Sequence, residues 1–224
     1  MLKENEFKRL FPKGTKLPQV DTIRDTLKVI DINGLKQINQ HIVKKAIENK
    51  VFENGTMDGY TVAAIDGTKF FESNKKNCLE CLSNKQHYFH SGVVMSTIGD
   101  GSKLVIDFEM YRPGKDSDSK DEGEQTAAKR LVSRVFNRNK NFIDIVVYDA
   151  LVCNSVWINH CTSHGVEVIV QAKSNKNNGL RQVKKNVNKQ EPVQCWIDEK
   201  GFEKVKVYES TFIMENVEHP LRFM

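Results

Sequence analysis

Long apolar runs are scarce in this chain. No segment approaches the roughly 18 consecutive apolar residues a membrane helix needs, and the opening Met1-Leu2-Lys3-Glu4-Asn5-Glu6 lacks the apolar core of a secretory signal. Cysteine is sparse too: five thiols, an odd number scattered over 224 residues, fit free thiols in a reducing interior better than a disulfide framework. These absences predict a cytoplasmic chain with no membrane partner. What is present is ordinary globular material, 39% hydrophobic and 28% charged, enough for one full domain and an appendage with much polar surface. The net charge of +5 inclines weakly toward a polyanionic partner, a balance many unrelated proteins share.

The pattern divides the chain into a helical N-terminal region (1–58), a mixed core (59–175) and a C-terminal stretch (176–224). In the first, Thr22-Ile23-Arg24-Asp25 has the spacing of a capping box before Ile23, Leu27 and Ile30. Asn33-Gly34 marks a turn, and Ile38, Ile42, Val43 and Ile47 stripe a helix from about Leu35 to Lys50. Residues 1–50 hold eleven Lys or Arg against six acids, so this region is either a DNA-contacting module or a helical layer with a solvated basic face. From residue 60 the period changes from 3.6 to 2. Strands are expected at 60–70, 90–98 and 103–111, the last two joined by Gly99-Asp100-Gly101. A polar loop follows, and Ser119-x-x-Glu122 can cap a helix whose buried face is Ala127, Ala128, Leu131, Val132, Val135 and Phe136. A strand at 143–148, a short helix at 156–164 and a strand at 166–172 complete an α/β order that implies a mixed sheet flanked by helices.

Two apolar runs each end on one aspartate: Val62-Ala63-Ala64-Ile65-Asp66 and Ile145-Val146-Val147-Tyr148-Asp149. If both are buried central strands, an ionised carboxylate at the end of each is costly unless a cation or donor meets it. Side by side, they would make a divalent-metal site suited to phosphodiester chemistry. The plainer alternative is that Asp66 opens a turn before Gly67-Thr68 and Asp149 caps the next helix.

Leu17-Pro18-x-x-Asp21-Thr22, Ala64-Ile65-Asp66-Gly67-Thr68, Tyr88-Phe89-His90, Glu122-Gly123-Glu124-x-x-Ala127-Ala128-x-Arg130-Leu131 and Tyr148-Asp149-Ala150-Leu151 occur in that order across residues 17–173. Together they resemble the ribonuclease H-like catalytic domain of DDE transposases, specifically insertion-sequence transposases of the IS-four-like and H-repeat-associated kind. The resemblance implies a ribonuclease H-like mixed sheet flanked by helices, with a helical N-terminal region and the start of a β-rich insertion at the C-terminus. It implies metal-dependent cleavage and strand transfer at transposon-end and target DNA, and a homodimer in a synaptic complex in the bacterial cytoplasm, associated with the nucleoid. Asp66 and Asp149 would match the first two carboxylates of the triad, holding Mg2+ or Mn2+.

In that group the third acid is a glutamate inside a tyrosine-arginine-glutamate-lysine signature beyond the insertion, and this chain shows none. Residues 193–197 and 205–208 read as the insertion's first strands around the turn 199–201. The expectation is therefore a truncated chain, inactive alone. Ribonuclease H takes one carboxylate from the helix after its third strand, so Glu124 or Glu122 could instead complete a stand-alone nuclease. Otherwise both simply complement the helix dipole and face solvent. A third reading is a non-catalytic DNA-binding inhibitor of the full transposase.

Two further features carry chemistry. Cys78-x-x-Cys81 with His87 and His90 supplies four zinc-type ligands within thirteen residues, although the His87-x-x-His90 spacing is short and the alternative is free thiols beside a sheet histidine. Cys153, Cys161 and Cys195 read as core packing. Between residues 171 and 190, Lys173, Lys176, Arg181, Lys184, Lys185 and Lys189 occur without one acid, a basic loop that either contacts DNA phosphates or is solvated and disordered.

Overall fold

The computed structural model describes residues 12, 14, 18–84, 87–114, 120–149, 153–172, 178–187, 190–197 and 204–224. The chain forms two compact units, Met1–Ile42 and Val43–Met224. The first contains α1 (Val20–Val29) and the beginning of α2 (Ile32–Glu48). The expected capping box at Thr22 is not formed: α1 starts earlier, Gln19 precedes it without a side-chain cap, and Thr22 lies inside the helix, its carbonyl accepting from Thr26 Oγ1 at 2.8 Å. The Asn33-Gly34 turn is not there either. Asp31 accepts from the backbone N–H groups of Asn33 and Gly34 at 3.0 Å each, satisfying two otherwise orphaned donors, so α2 begins through this pair. Of the expected stripe on α2, Val43 and Ile47 join the core of the second unit, whereas Ile38 and Ile42 are exposed.

The second unit is built on one sheet of β1 (Val62–Ser73), β2 (Leu82–Asn84), β3 (His87–Thr97), β4 (Val105–Met110), β5 (Ile145–Tyr148) and β6 (Glu167–Val170). β3 runs antiparallel to β1 and carries β2 and β4 in succession along its other edge, while β5 and β6 follow β1 in parallel. Leaving aside the three-residue β2, the order from one edge to the other is β4, β3, β1, β5 and β6, the mixed order of a ribonuclease H-like sheet flanked by helices. The β3–β4 turn needs its glycine: Gly99 has φ +116°, and a Cβ there would overlap the Thr56 backbone, whose carbonyl accepts from Asp100 and Gly101 N–H.

α3 (Glu124–Arg138) buries the six apolar residues its periodicity predicts and packs them in one core with Ala63, Ile65, Val93, Met95 and Ile106. Its N-cap is Gly123 without a side-chain bond, and Ser119 lies outside the described residues. α4 (Ser155–Thr162) is capped by Asn154, whose side chain accepts from the Trp157 N–H at 3.0 Å, and the chain leaves it through Gly165 at φ +75°. Asp149 therefore does not cap α4. The basic segment expected as a loop contains α5 (Asn178–Val187), whose Leu180, Val183 and Val187 recur at helical spacing. Beyond it, β7 (Gln194–Ile197) pairs with β8 (Lys204–Val207), and an unanticipated β9 (Ser210–Phe212) pairs with β10 (Leu221–Phe223). Cys161 is buried as expected, its thiol pushed up to about 12 by burial, but Cys195 is exposed because β7 belongs to a two-stranded ribbon outside the main core. Among the described residues no helix is long and apolar enough to cross a membrane.

Candidate active site

β1 delivers Asp66 and β5 ends immediately before Asp149. Ala63 pairs with Val146 and Ala64 with Val147 in the parallel β1–β5 register. The ladder ends at Ala64–Val147; Asp66, midway along β1, and Asp149, just past the end of β5, each lie two residues further along, and their carboxylates do not close with Glu124 into a cluster of three within 4.8 Å of one another. Both residues are exposed. This corrects the premise that burial alone makes a cation necessary: the strands are buried up to Ile65 and Tyr148, and the carboxylates emerge where the sheet meets solvent.

The two glutamates of the α3 entry separate cleanly. Glu122 turns back to α3, pairing with Arg130 and accepting the Arg112 N–H at 3.0 Å. Glu124 turns toward the sheet. Its carboxylate lies over Gly67, the residue after Asp66, so closely that a Cβ at Gly67 would overlap it and stand 2.7 Å from its Cδ. Tyr148 donates its hydroxyl to Glu124 Oε1 at 2.8 Å. Burial first, then this hydrogen bond and the Glu124 charge, push the Tyr148 phenol well above its ordinary value, with Tyr111 and Asp66 adding to the effect. Burial, then Glu124 and Asp66, raise Tyr111 in the same way. Both phenols therefore stay protonated, and the charges of Glu124 and Asp66 act on the same pair. Neither glutamate is a freely solvated residue answering only to the helix dipole.

A charged layer holds α3 at its angle to the sheet. Arg130, Arg134 and Arg138 recur at i, i+4 and i+8, and β4 presents Asp107 and Glu109, 1% and 7% exposed, to them. Arg134 Nε meets Asp107 Oδ2 at 2.9 Å, its second arm pairs with Glu109, and its Nη2 donates to the Phe108 carbonyl at 2.8 Å. Arg130 bridges Glu109 at 3.2 Å and Glu122, and also donates to the Met110 carbonyl at 3.0 Å. The carboxylates hold both guanidinium groups protonated against the opposing cost of burial. Tyr111, Tyr148 and this layer were absent from the expected site. Their signals were an arginine at every fourth residue of a helix and an acid at every second residue of a strand.

Of the basic residues, Arg181, Lys184 and Lys185 are exposed on one side of α5 while Val183 is buried; Lys173, Lys176 and Lys189 lie outside the described residues. The thiols of Cys78 and Cys81 gather around His90, but His87 does not join them. His87 stands 3.7 Å from Glu72, and strand alternation puts positions 87 and 90 on opposite faces of β3.

No protein-family model matches the chain, and no curated protein matches it. Among solved structures, it is similar to the Drosophila P element transposase strand transfer complex, with 11% identity over 91% of this chain and a TM-score of 0.35. The chain spans 44% of that protein. A likeness this loose assigns neither activity nor substrate.

Proposed function

We propose that the chain carries a metal-dependent phosphodiester-cleaving site of the transposase kind, acting on DNA, with Asp66, Asp149 and Glu124 as its three carboxylates. The supporting observation is the place of Glu124, seated over Gly67, the residue after Asp66, and hydrogen-bonded by the Tyr148 hydroxyl, with the Asp66 charge acting on the same tyrosine. The donor set suits the cation: three carboxylates, two of them open to water, offer the hard oxygen ligands that Mg2+ or Mn2+ takes while keeping its own waters. When bound, divalent cations would activate the attacking oxygen and stabilise the leaving one. Tyr148 and Tyr111 act as donors that orient Glu124, since a phenol so firmly protonated is no general base. In this reading Glu124 takes the place of the late glutamate that the motif comparison found missing.

The test is cleavage of supercoiled DNA by the purified chain in Mg2+ or Mn2+. Wild type nicks the plasmid and Asp66→Asn does not. Cleavage equal in both proteins, or DNA binding without cleavage by wild type, contradicts the reading, and the latter outcome describes a non-catalytic DNA-binding protein.

Arg181, Lys184 and Lys185 provide the corresponding backbone contacts in this reading. Each phosphate contact contributes roughly 0.7 to 0.9 to the slope of log affinity against log salt. The Lys184→Ala/Lys185→Ala pair is therefore expected to reduce that slope by about 1.5, measured by fluorescence anisotropy over a salt series. An unchanged slope removes α5 from the DNA interface.

A further inference from the structure

The connection from β1 to β2 folds back on β3 and brings three metal-type ligands to one point. Ser73 Oγ accepts from the backbone N–H groups of Lys75 and Lys76 at 3.1 and 2.9 Å, turning the chain out of β1. Cys81 N–H then bonds to the Cys78 carbonyl at 3.1 Å, closing a tight turn before Leu82, which is buried at the start of β2. Across it stands His90, held in register opposite Phe71. The Cys78 and Cys81 sulfurs are 3.6 Å apart, and each lies 3.3 Å from His90 Nε2.

Those three distances have the proportions of one face of a tetrahedron. Zinc–sulfur bonds near 2.3 Å and zinc–nitrogen bonds near 2.0 to 2.1 Å give edges of about 3.8 Å between sulfurs and about 3.5 Å between sulfur and nitrogen. The Cys78 N–H also donates to the Cys81 sulfur at 3.3 Å, which fixes that sulfur within the turn. Soft sulfur with imidazole selects zinc over the hard cation of the carboxylate site.

We propose that Cys78, Cys81 and His90 bind one zinc ion, with the fourth coordination position open to water on the exposed side of Cys78. Binding displaces the two thiol protons and forms two Zn–S bonds and one Zn–N bond. His87 takes no part. The site is separate from the carboxylates: His90 pairs with Phe71, five residues along β1 from Asp66, or about 16 Å at 3.3 Å per residue. The ion ties the 74–81 connection to the far end of the β1–β3 ladder, where β2 contributes only three residues.

The test uses the full chain, purified under reducing conditions from zinc-supplemented medium, with metal content measured by mass spectrometry. Wild type and His87→Gln are expected to carry one zinc per chain, and Cys81→Ser and His90→Gln to lose it. Loading the apo wild type with Co2+ alone provides a readout independent of how the variants fold. It should give thiolate-to-cobalt charge-transfer bands together with the intense visible bands of a tetrahedral site. Wild type without stoichiometric zinc, a cobalt spectrum without charge-transfer bands, or a disulfide between Cys78 and Cys81 that persists in reductant would each overturn the proposal, as would zinc retained by Cys81→Ser.

Discussion

Glu124→Gln is expected to lower Mg2+-dependent DNA cleavage by about a thousandfold, some 4 kcal/mol of transition-state stabilisation, without unfolding the protein. Glutamine keeps the shape of the side chain and can still accept the Tyr148 hydroxyl through its amide oxygen, so the change removes charge and little else. Gly67→Ala probes the same point by shape. Its added methyl displaces the Glu124 carboxylate from above β1, and a displacement near 1 Å is expected to cost about a hundredfold in rate. Single-turnover cleavage of a labelled duplex measures both. Full activity in Glu124→Gln would return Glu124 to a role in the helix terminus and leave Asp66 and Asp149 without a third acid.

The second large effect is on stability. Arg134→Met leaves Asp107, 1% exposed, without its nearer arginine, keeping the Phe108 N–H at 2.8 Å and the longer 3.6 Å contact to Arg138, and it removes an arginine paired with Glu109. Removing one partner of a buried ion pair costs about 3 to 5 kcal/mol. For a unit of this size that corresponds to a fall in Tm of roughly 10 °C, read by calorimetry. Combining it with Asp107→Leu should recover part of the loss, because no buried carboxylate then remains stranded at that position. A single variant that unfolds within about 2 °C of wild type would show that water reaches this layer freely.

Legibility in the sequence followed periodicity closely. α3 was readable because six apolar residues recur on one face, and β1, β3 and β5 because short apolar runs sit between turn residues. The α5 helix was obscured by its charge: Leu180, Val183 and Val187 mark a helical face, yet the surrounding lysines and asparagines read as loop. Capping at α1 and α2 was misread for a different reason. Several residues near each start can accept backbone N–H bonds, and which one does so depends on where the chain enters the helix. Asp66 and Asp149 stood out because a charge ends each apolar run of the sequence. Which of Glu122 and Glu124 turns toward the sheet was not legible, because it rests on Arg130 reaching back across eight residues to Glu122 and on a tyrosine from β5. Likewise, strand alternation removes His87 from the cysteine cluster only once the strand is known to begin at His87 and not at His90.

The proposed chemistry requires three acids, from β1, just past β5 and the start of α3, to share one cation-binding space. Crystals of the protein soaked in Mn2+, with anomalous diffraction recorded at the manganese edge, test this most directly. The expected map has a peak within bonding distance of carboxylate oxygens from Asp66, Asp149 and Glu124, and the peak is missing in Asp66→Asn crystals. A fully soaked wild-type crystal with no peak there, or with the Asp66 and Asp149 side chains on opposite faces of the sheet, would contradict it.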